Sequence, residues 1–239
     1  MAVALVFVLA VTTTYYVLQF SGKVTSPVTV TGAGSASRTS SIRSTQSTLS
    51  SVTVGTCGSL CSSFTPHSIG YIGCSISEIS VSGYDNYSAN RGLFWAPYST
   101  GGGLISGWDN PNSQYWLNFD AELTTYGQPK AVWVQICVST TANFTYNDVV
   151  TAVQILRSKV PNAALFFSPL VTYPLNWNCT FANVPQSYTF ADEAASNGLG
   201  VRGPNLGPWT ASDMGSATCD PGTAGARTLV GTQLSSYFG

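Results

Sequence analysis

The stretch Tyr71-Ile-Gly-Cys-Ser-Ile-Ser-Glu78 closes a short apolar run at a glycine and sets the hydroxyl of Ser75 two residues later. A serine at the end of a buried strand attacks a carbonyl once a neighbouring base takes its proton. Imidazole is the usual base, and the chain holds one histidine, His67, at the start of that same run. At about 3.3 Å per extended residue the two side chains stand roughly 25 Å apart, so His67 is out of reach. Asp109, Asp120 and Glu122 are the acids that glycoside cleavage would need in convergent pairs. Their spacing instead suits a solvated helix face. Cys57-Gly-Ser-Leu-Cys61 has loose metal-ligand spacing, but no second pair or clustered histidine completes a tetrahedral set. Neither a metal nor a cofactor is expected.

Composition narrows the partners. Charged residues make up 8% of the chain and the formal net charge is −1. No basic surface exists to neutralise phosphates, which excludes nucleic acid. Six cysteines, an even number, fit a disulfide framework outside the cell. Asn86, Asn143 and Asn178 each open an Asn-x-Ser/Thr triplet and are candidate glycosylation sites.

Three regions must carry these groups. Residues 1–20 include AVALVFVLAVTTTYYVLQF, almost uncharged and long enough to span a bilayer as a helix. They read as a transmembrane anchor, with a signal segment as the alternative. A third reading is a hydrophobic helix through which copies self-assemble. Residues 21–64 are dominated by Ser and Thr and cannot offset their ordering entropy by packing, so they read as a stalk. Residues 65–239 form the folded domain. Its runs SIGYIG (68–73), AVWVQICV (131–138) and ALFFSPLV (164–171) are apolar on both faces, as strands of a covered parallel sheet are. Between and after them lie helical patterns. Val149, Val150, Val153 and Leu156 share one stripe, capped by Thr145 or Asn147 and stopped by Pro161. Leu229, Val230, Leu234 and Phe238 make another. This alternation predicts an α/β fold, a three-layer doubly wound parallel sheet, with ligands beyond the carboxyl ends of the strands. Ser75 falls there.

Taken together, the pieces resemble the SGNH (GDSL-type) hydrolase family over roughly residues 66–239. The resemblance rests on Gly-Cys-Ser-Ile-Ser after the first strand, where the family has Gly-Asp-Ser-x-Ser/Thr. It continues through the glycine turn YSTGGGLISGW, the strand ending at Cys137, the Val149–Lys159 helix with VPNAALFFSPLVTYP behind it, and the closing CDPGTAGARTLVGTQLSSYFG. It implies a flavodoxin-like sheet order and a serine esterase with Ser75 as nucleophile. It also implies Gly102 or Gly103 as the oxyanion glycine, whose missing Cβ lets the backbone approach the developing charge.

Two blocks depart from the pattern. Cys137-Val138-Ser139-Thr140 stands where the family has Gly-x-Asn-Asp, so Ser139 is the remaining donor, on a shorter arm. The place of the catalytic histidine is held by Asp220. A carboxylate of ordinary pKa about 3.9 is a weaker base than imidazole at about 6.5, which costs roughly thirtyfold in rate. The alternative role for Asp220 is to cap the last helix.

The same fold suggests roles for the remaining groups. Cys179 and Cys219 lie in loops after strands and are expected to pair, while Cys57 and Cys61 would close a small local loop. Cys74 and Cys137 either bridge beneath the site or remain buried thiols. Trp95 and Trp108, in the aromatic segment around the glycine turn, are candidates to stack on sugar rings. Two functions follow. One is a cell-surface esterase acting on acyl esters of polysaccharide, acetyl esters among them, membrane-anchored or secreted. The other is a non-catalytic surface domain that binds glycan or forms part of an extracellular envelope assembly.

Overall fold

The computed structural model describes residues 57–87, 89, 91–216 and 219–239. The hydrophobic segment expected at 1–20, with its anchoring and self-assembly roles, and the stalk as far as residue 56 lie outside them. No helix among the described residues is long and apolar enough to cross a membrane.

The three apolar runs form strands β1 (Ile69–Ile72), β2 (Ala131–Ile136) and β3 (Ala164–Pro169), and a short β4 (Val201–Arg202) follows. All pair in parallel, in the order β1-β2-β3-β4. Beyond β1, on the edge away from β2, Phe94 makes an isolated parallel bridge to Ile69. There the Ile69 N–H donates to Leu93 O and the Trp95 N–H donates to Ile69 O, both at 2.9 Å. Every residue of β1 and β2 is buried, which requires helices on both faces.

The helices are α1 (Ser75–Asp85), α2 (Ile105–Trp108), α3 (Gln114–Tyr126), α4 (Tyr146–Lys159), α5 (Pro185–Ser196), α6 (Ala211–Met214) and α7 (Ala224–Phe238). On one face, Phe94, Trp133, Phe166 and Phe238 of α7 meet edge to face. On the other, Gly70 makes room for the ring of Trp95, which packs on Phe119 and Tyr126 of α3. The predicted cap of α4 is Thr145, which exchanges side-chain and backbone bonds with Asp148. That helix ends before Pro161, as its fixed φ and missing N–H demand.

Helices α1 and α7 pack side by side. At their crossing a Cβ on Gly83 would lie 2.1 Å from Arg227 O, and one on Gly231 would lie 2.2 Å from Gly83 C. Backbone meets backbone at this point, an approach closed to any residue with a side chain.

The boundary between stalk and domain moves from the sequence expectation. Cys57 and Phe64 are buried, Phe64 packs edge-on against Phe166, and the Cys57 N–H donates to Tyr237 O. Residues 57–64, with the 3₁₀ turn Gly58–Ser63, therefore belong to the folded unit. Their Ser-rich composition hides two apolar anchors.

Candidate active site

Ser75 is the first residue of α1, immediately beyond the carboxyl end of β1. Strand β1 stops at Gly73 because the chain must turn sharply there, where a Cβ would fall 1.9 Å from Ser77 Oγ. Ser77 accepts the Cys74 N–H at 3.1 Å and donates to Gln135 Oε1 at 2.7 Å. From the other side the Thr100 hydroxyl donates to Cys74 O at 2.8 Å. A disulfide joins Cys74 to Cys137, so the elbow is also fastened to the end of β2. As first residue of a helix, Ser75 offers an N–H with no intrahelical acceptor, beside the positive end of the helix dipole.

The glycine turn packs directly on this elbow. The Gly103 N–H donates to Thr100 O at 2.9 Å, closing a turn in which Gly102 takes φ +77. Positive φ at the third position is the type II requirement. A Cβ on Gly103 would lie 2.2 Å from Gly73 O. Gly103 is thus the buried contact, its N–H committed inside the turn, whereas Gly102 is exposed at the apex.

Trp95 and Trp108 lie inside the fold rather than at its surface. Trp95 is 0% exposed and Trp108 1%, so neither stacks on a substrate. Trp95 fills the core against α3. The Trp108 Nε1–H instead donates to Gly73 O at 2.9 Å and Gly103 O at 3.2 Å, tying elbow to turn. The ring left half-exposed here is Tyr115, 5.3 Å from the Trp108 ring, with its hydroxyl donating to Gly101 O at 3.3 Å.

The second half of the site comes from the loop before α7. Ser75 Oγ–H donates to Asp220 Oδ1 at 2.9 Å, across 145 residues of chain. Asp220 is exposed and Ser75 half-buried. Asp220 does not cap α7: that role falls to Thr223, whose hydroxyl accepts the Ala226 N–H at 3.2 Å. The neighbouring Cys219 is bridged to Cys179, and its carbonyl accepts from the Tyr173 hydroxyl at 2.8 Å. Burial, and secondarily the charge of Asp220, push the Tyr173 phenol well above its ordinary range, so it stays protonated and donating.

Several other predicted groups bond elsewhere. Ser139 is buried and its hydroxyl shares a hydrogen bond with Thr141 Oγ1 at 2.9 Å. His67 precedes β1, with Nδ1 3.0 Å from Phe94 O and its ring stacked on Tyr126. Asp120 is paired with Lys159 at 2.7 Å. Cys57 is bridged to Cys61, so every cysteine is in a disulfide. Such a set fits an oxidising compartment. Among the described residues no group of three His, Cys, Asp or Glu could hold a metal ion. Asn86, Asn143 and Asn178 are all exposed.

Sequence reasoning missed the residues that hold the pair: Ser77, Thr100, Gln135 and Tyr173. Only Gln135 left a signal, as a lone amide inside an otherwise apolar strand, where a buried polar group must find partners. The site joins a hydroxyl at a helix N-terminus to a carboxylate that accepts its hydrogen bond, beside a glycine turn. Compared with family models, with curated proteins and with solved structures, the chain matches none.

Proposed function

We propose that this protein is an extracellular serine esterase of SGNH-like architecture, acting on acyl esters of polysaccharide. The observation that carries the reading is the 2.9 Å hydrogen bond from Ser75 Oγ to Asp220. With Phe94 counted as an abbreviated strand, the sheet reads in chain order 2-1-3-4-5, the flavodoxin-like winding. Its switch point lies between β1 and β2, where such folds bind ligands, and Ser75 sits there.

In this reading Ser75 Oγ attacks the ester carbonyl while Asp220 takes its proton. The carbonyl oxygen becomes an oxyanion held by the N–H groups of Ser75 and Gly102. Asp220 then returns the proton to the departing sugar alkoxide. Water, deprotonated by the same carboxylate, releases the acid and restores Ser75. The disulfide set and the exposed sequon asparagines support placement outside the cell. The hydrophobic segment 1–20 would tether the domain to a membrane.

Tyr115 replaces the two tryptophans as the ring for substrate contact, since it is half-exposed over the glycine turn. Tyr115→Ala is expected to raise KM for an O-acetylated oligosaccharide about tenfold, a loss of roughly 1.4 kcal/mol, while leaving kcat for p-nitrophenyl acetate within about twofold. Steady-state kinetics on both substrates separates these effects. A KM unchanged on the sugar ester would remove Tyr115 from the binding site.

A second reading is a non-catalytic domain that binds glycan or an envelope component through the same cleft. It draws on the exposure of Asp220 and on His67 being engaged with Phe94 O and the Tyr126 ring ahead of β1. Turnover of p-nitrophenyl acetate between about pH 4 and about pH 8 decides between the two. Hydrolysis by the wild type and none by Ser75→Ala supports the esterase, and equal rates in both leave the binding domain.

Trp108→Phe tests how the elbow and turn are tied together. Removing the shared indole donor is expected to lower kcat about tenfold with little change in KM, because the oxyanion donors lose their fixed spacing. Unchanged kcat would mean that packing alone holds the turn.

A further inference from the structure

Each half of the Ser75–Asp220 pair directly follows a bridged cysteine: Cys74 precedes Ser75, and Cys219 precedes Asp220. The two bridges differ in access. Cys74 and Cys137 are each 1% exposed, sealed beneath the elbow. Cys179 and Cys219 are half-buried, on segments outside any helix or strand. A reducing thiolate must approach a sulfur to attack it, so access separates the two bonds.

The outer bridge also matters more to its neighbour. Ser75 is held by the start of α1, by Ser77 and Gln135 beneath it, and by Thr100 and Trp108 beside it. Asp220 is exposed, and Cys219 is fastened to the segment after β3 by the disulfide to Cys179 and one hydrogen bond from Tyr173. Further along, the Gly222 N–H donates to Met214 O at 3.2 Å. Opening the disulfide removes the covalent tie and leaves these neutral hydrogen bonds, the buried ring of Pro221 and the Ser75 hydrogen bond itself to hold the carboxylate in place.

We propose that Cys179–Cys219 is a redox-sensitive clamp that positions Asp220 against Ser75, so that a dithiol reductant idles the site while the nucleophile elbow stays intact. For its activity readout the proposal rests on the esterase reading. In that step the Sγ–Sγ bond takes two electrons and two protons to give two thiols, and the dithiol becomes a cyclic disulfide. A chain in a reducing compartment would carry an idle site, armed when the bridge closes on the oxidising side.

The test uses the full chain and graded dithiothreitol, with iodoacetamide trapping and peptide mapping. Cys179 and Cys219 are expected to be alkylated well before Cys74 and Cys137. At that point labelling of Ser75 by a fluorophosphonate should fall about tenfold or more, and reoxidation should restore it. In Asp220→Asn, reduction should lower labelling no further, since the positioned carboxylate is already gone. A Cys57→Ser/Cys61→Ser variant should respond as the wild type does, which excludes the third bridge as the cause.

Opening of Cys74–Cys137 first, or an equal loss in wild type and Asp220→Asn, overturns the clamp. Should the oxidised wild type neither label nor turn over an ester, the esterase reading fails on its own. Hydrogen exchange at the Gly222 amide then decides the clamp: protection lost on reduction supports it, and unchanged protection overturns it.

Discussion

Asp220→Asn is expected to lower kcat for p-nitrophenyl acetate by roughly 10³-fold, with KM within about threefold of wild type. Asparagine has nearly the same shape, and its amide oxygen still accepts the Ser75 O–H that now reaches Oδ1 at 2.9 Å. It cannot take the proton. The substitution therefore keeps the geometry and removes the base, and general-base catalysis is worth about 10² to 10⁴ in rate. Because Asp220 is exposed, the change leaves no buried charge unpaired, and stability should stay within about 0.5 kcal/mol. Asp220→Glu retains the carboxylate on a longer arm and should recover only part of the rate, since a misplacement of about 1 Å can cost on the order of 10²-fold. Wild-type kcat in Asp220→Asn would reduce the contact to a surface hydrogen bond.

The second large effect is on stability. Gly231→Ala is expected to destabilise the domain by about 3 kcal/mol, read as a lower urea midpoint at unchanged m. Alanine would normally gain about 1 kcal/mol over glycine within a helix. Here its Cβ would lie 2.2 Å from Gly83 C and 2.4 Å from the Tyr84 N of the facing helix, so one backbone must move. The consequence reaches the site, because α1 begins with Ser75 and α7 begins just after the loop bearing Asp220. Pushing the helices apart should weaken the Ser75–Asp220 bond and lower kcat together with stability. Gly83→Ala should behave alike, and the double variant should cost less than the sum, as the two sites share one contact. Thr228→Ala on the exposed side of α7 should stay within about 0.5 kcal/mol. A Gly231→Ala variant as stable as wild type would mean that the crossing can open at no cost.

Local signals in the chain carried a good part of the fold. Continuous apolar runs produced β1, β2 and β3, because a strand covered on both faces cannot afford polar positions. Gln135 and Ser168 are the exceptions: the Gln135 amide oxygen accepts from Ser77, and the Ser168 hydroxyl accepts from the Trp133 Nε1–H. The α4 pattern, with Thr145 ahead and Pro161 behind, produced a helix whose ends those residues explain. The Phe94 bridge had no such signature, since a single paired residue imposes no periodicity. Trp95 and Trp108 misled for a related reason. Ring chemistry suits stacking on sugar and filling a core equally, and only the surroundings choose between them.

Legible from residue order alone were the placement of Ser75 after a buried strand, the lack of a histidine within reach of it, and an even cysteine set. These follow from order along the chain, strand length and counting. The Cys179–Cys219 pair was expected from its loops, whereas tertiary packing brought Asp220 beside Ser75, joined Cys74 to Cys137 and left Tyr115 half-exposed at the glycine turn. Each of these contacts depends on where helices and loops distant in sequence come to rest. The Gly83–Gly231 crossing is the clearest case, because two glycines separated along the chain acquire meaning only when their helices touch.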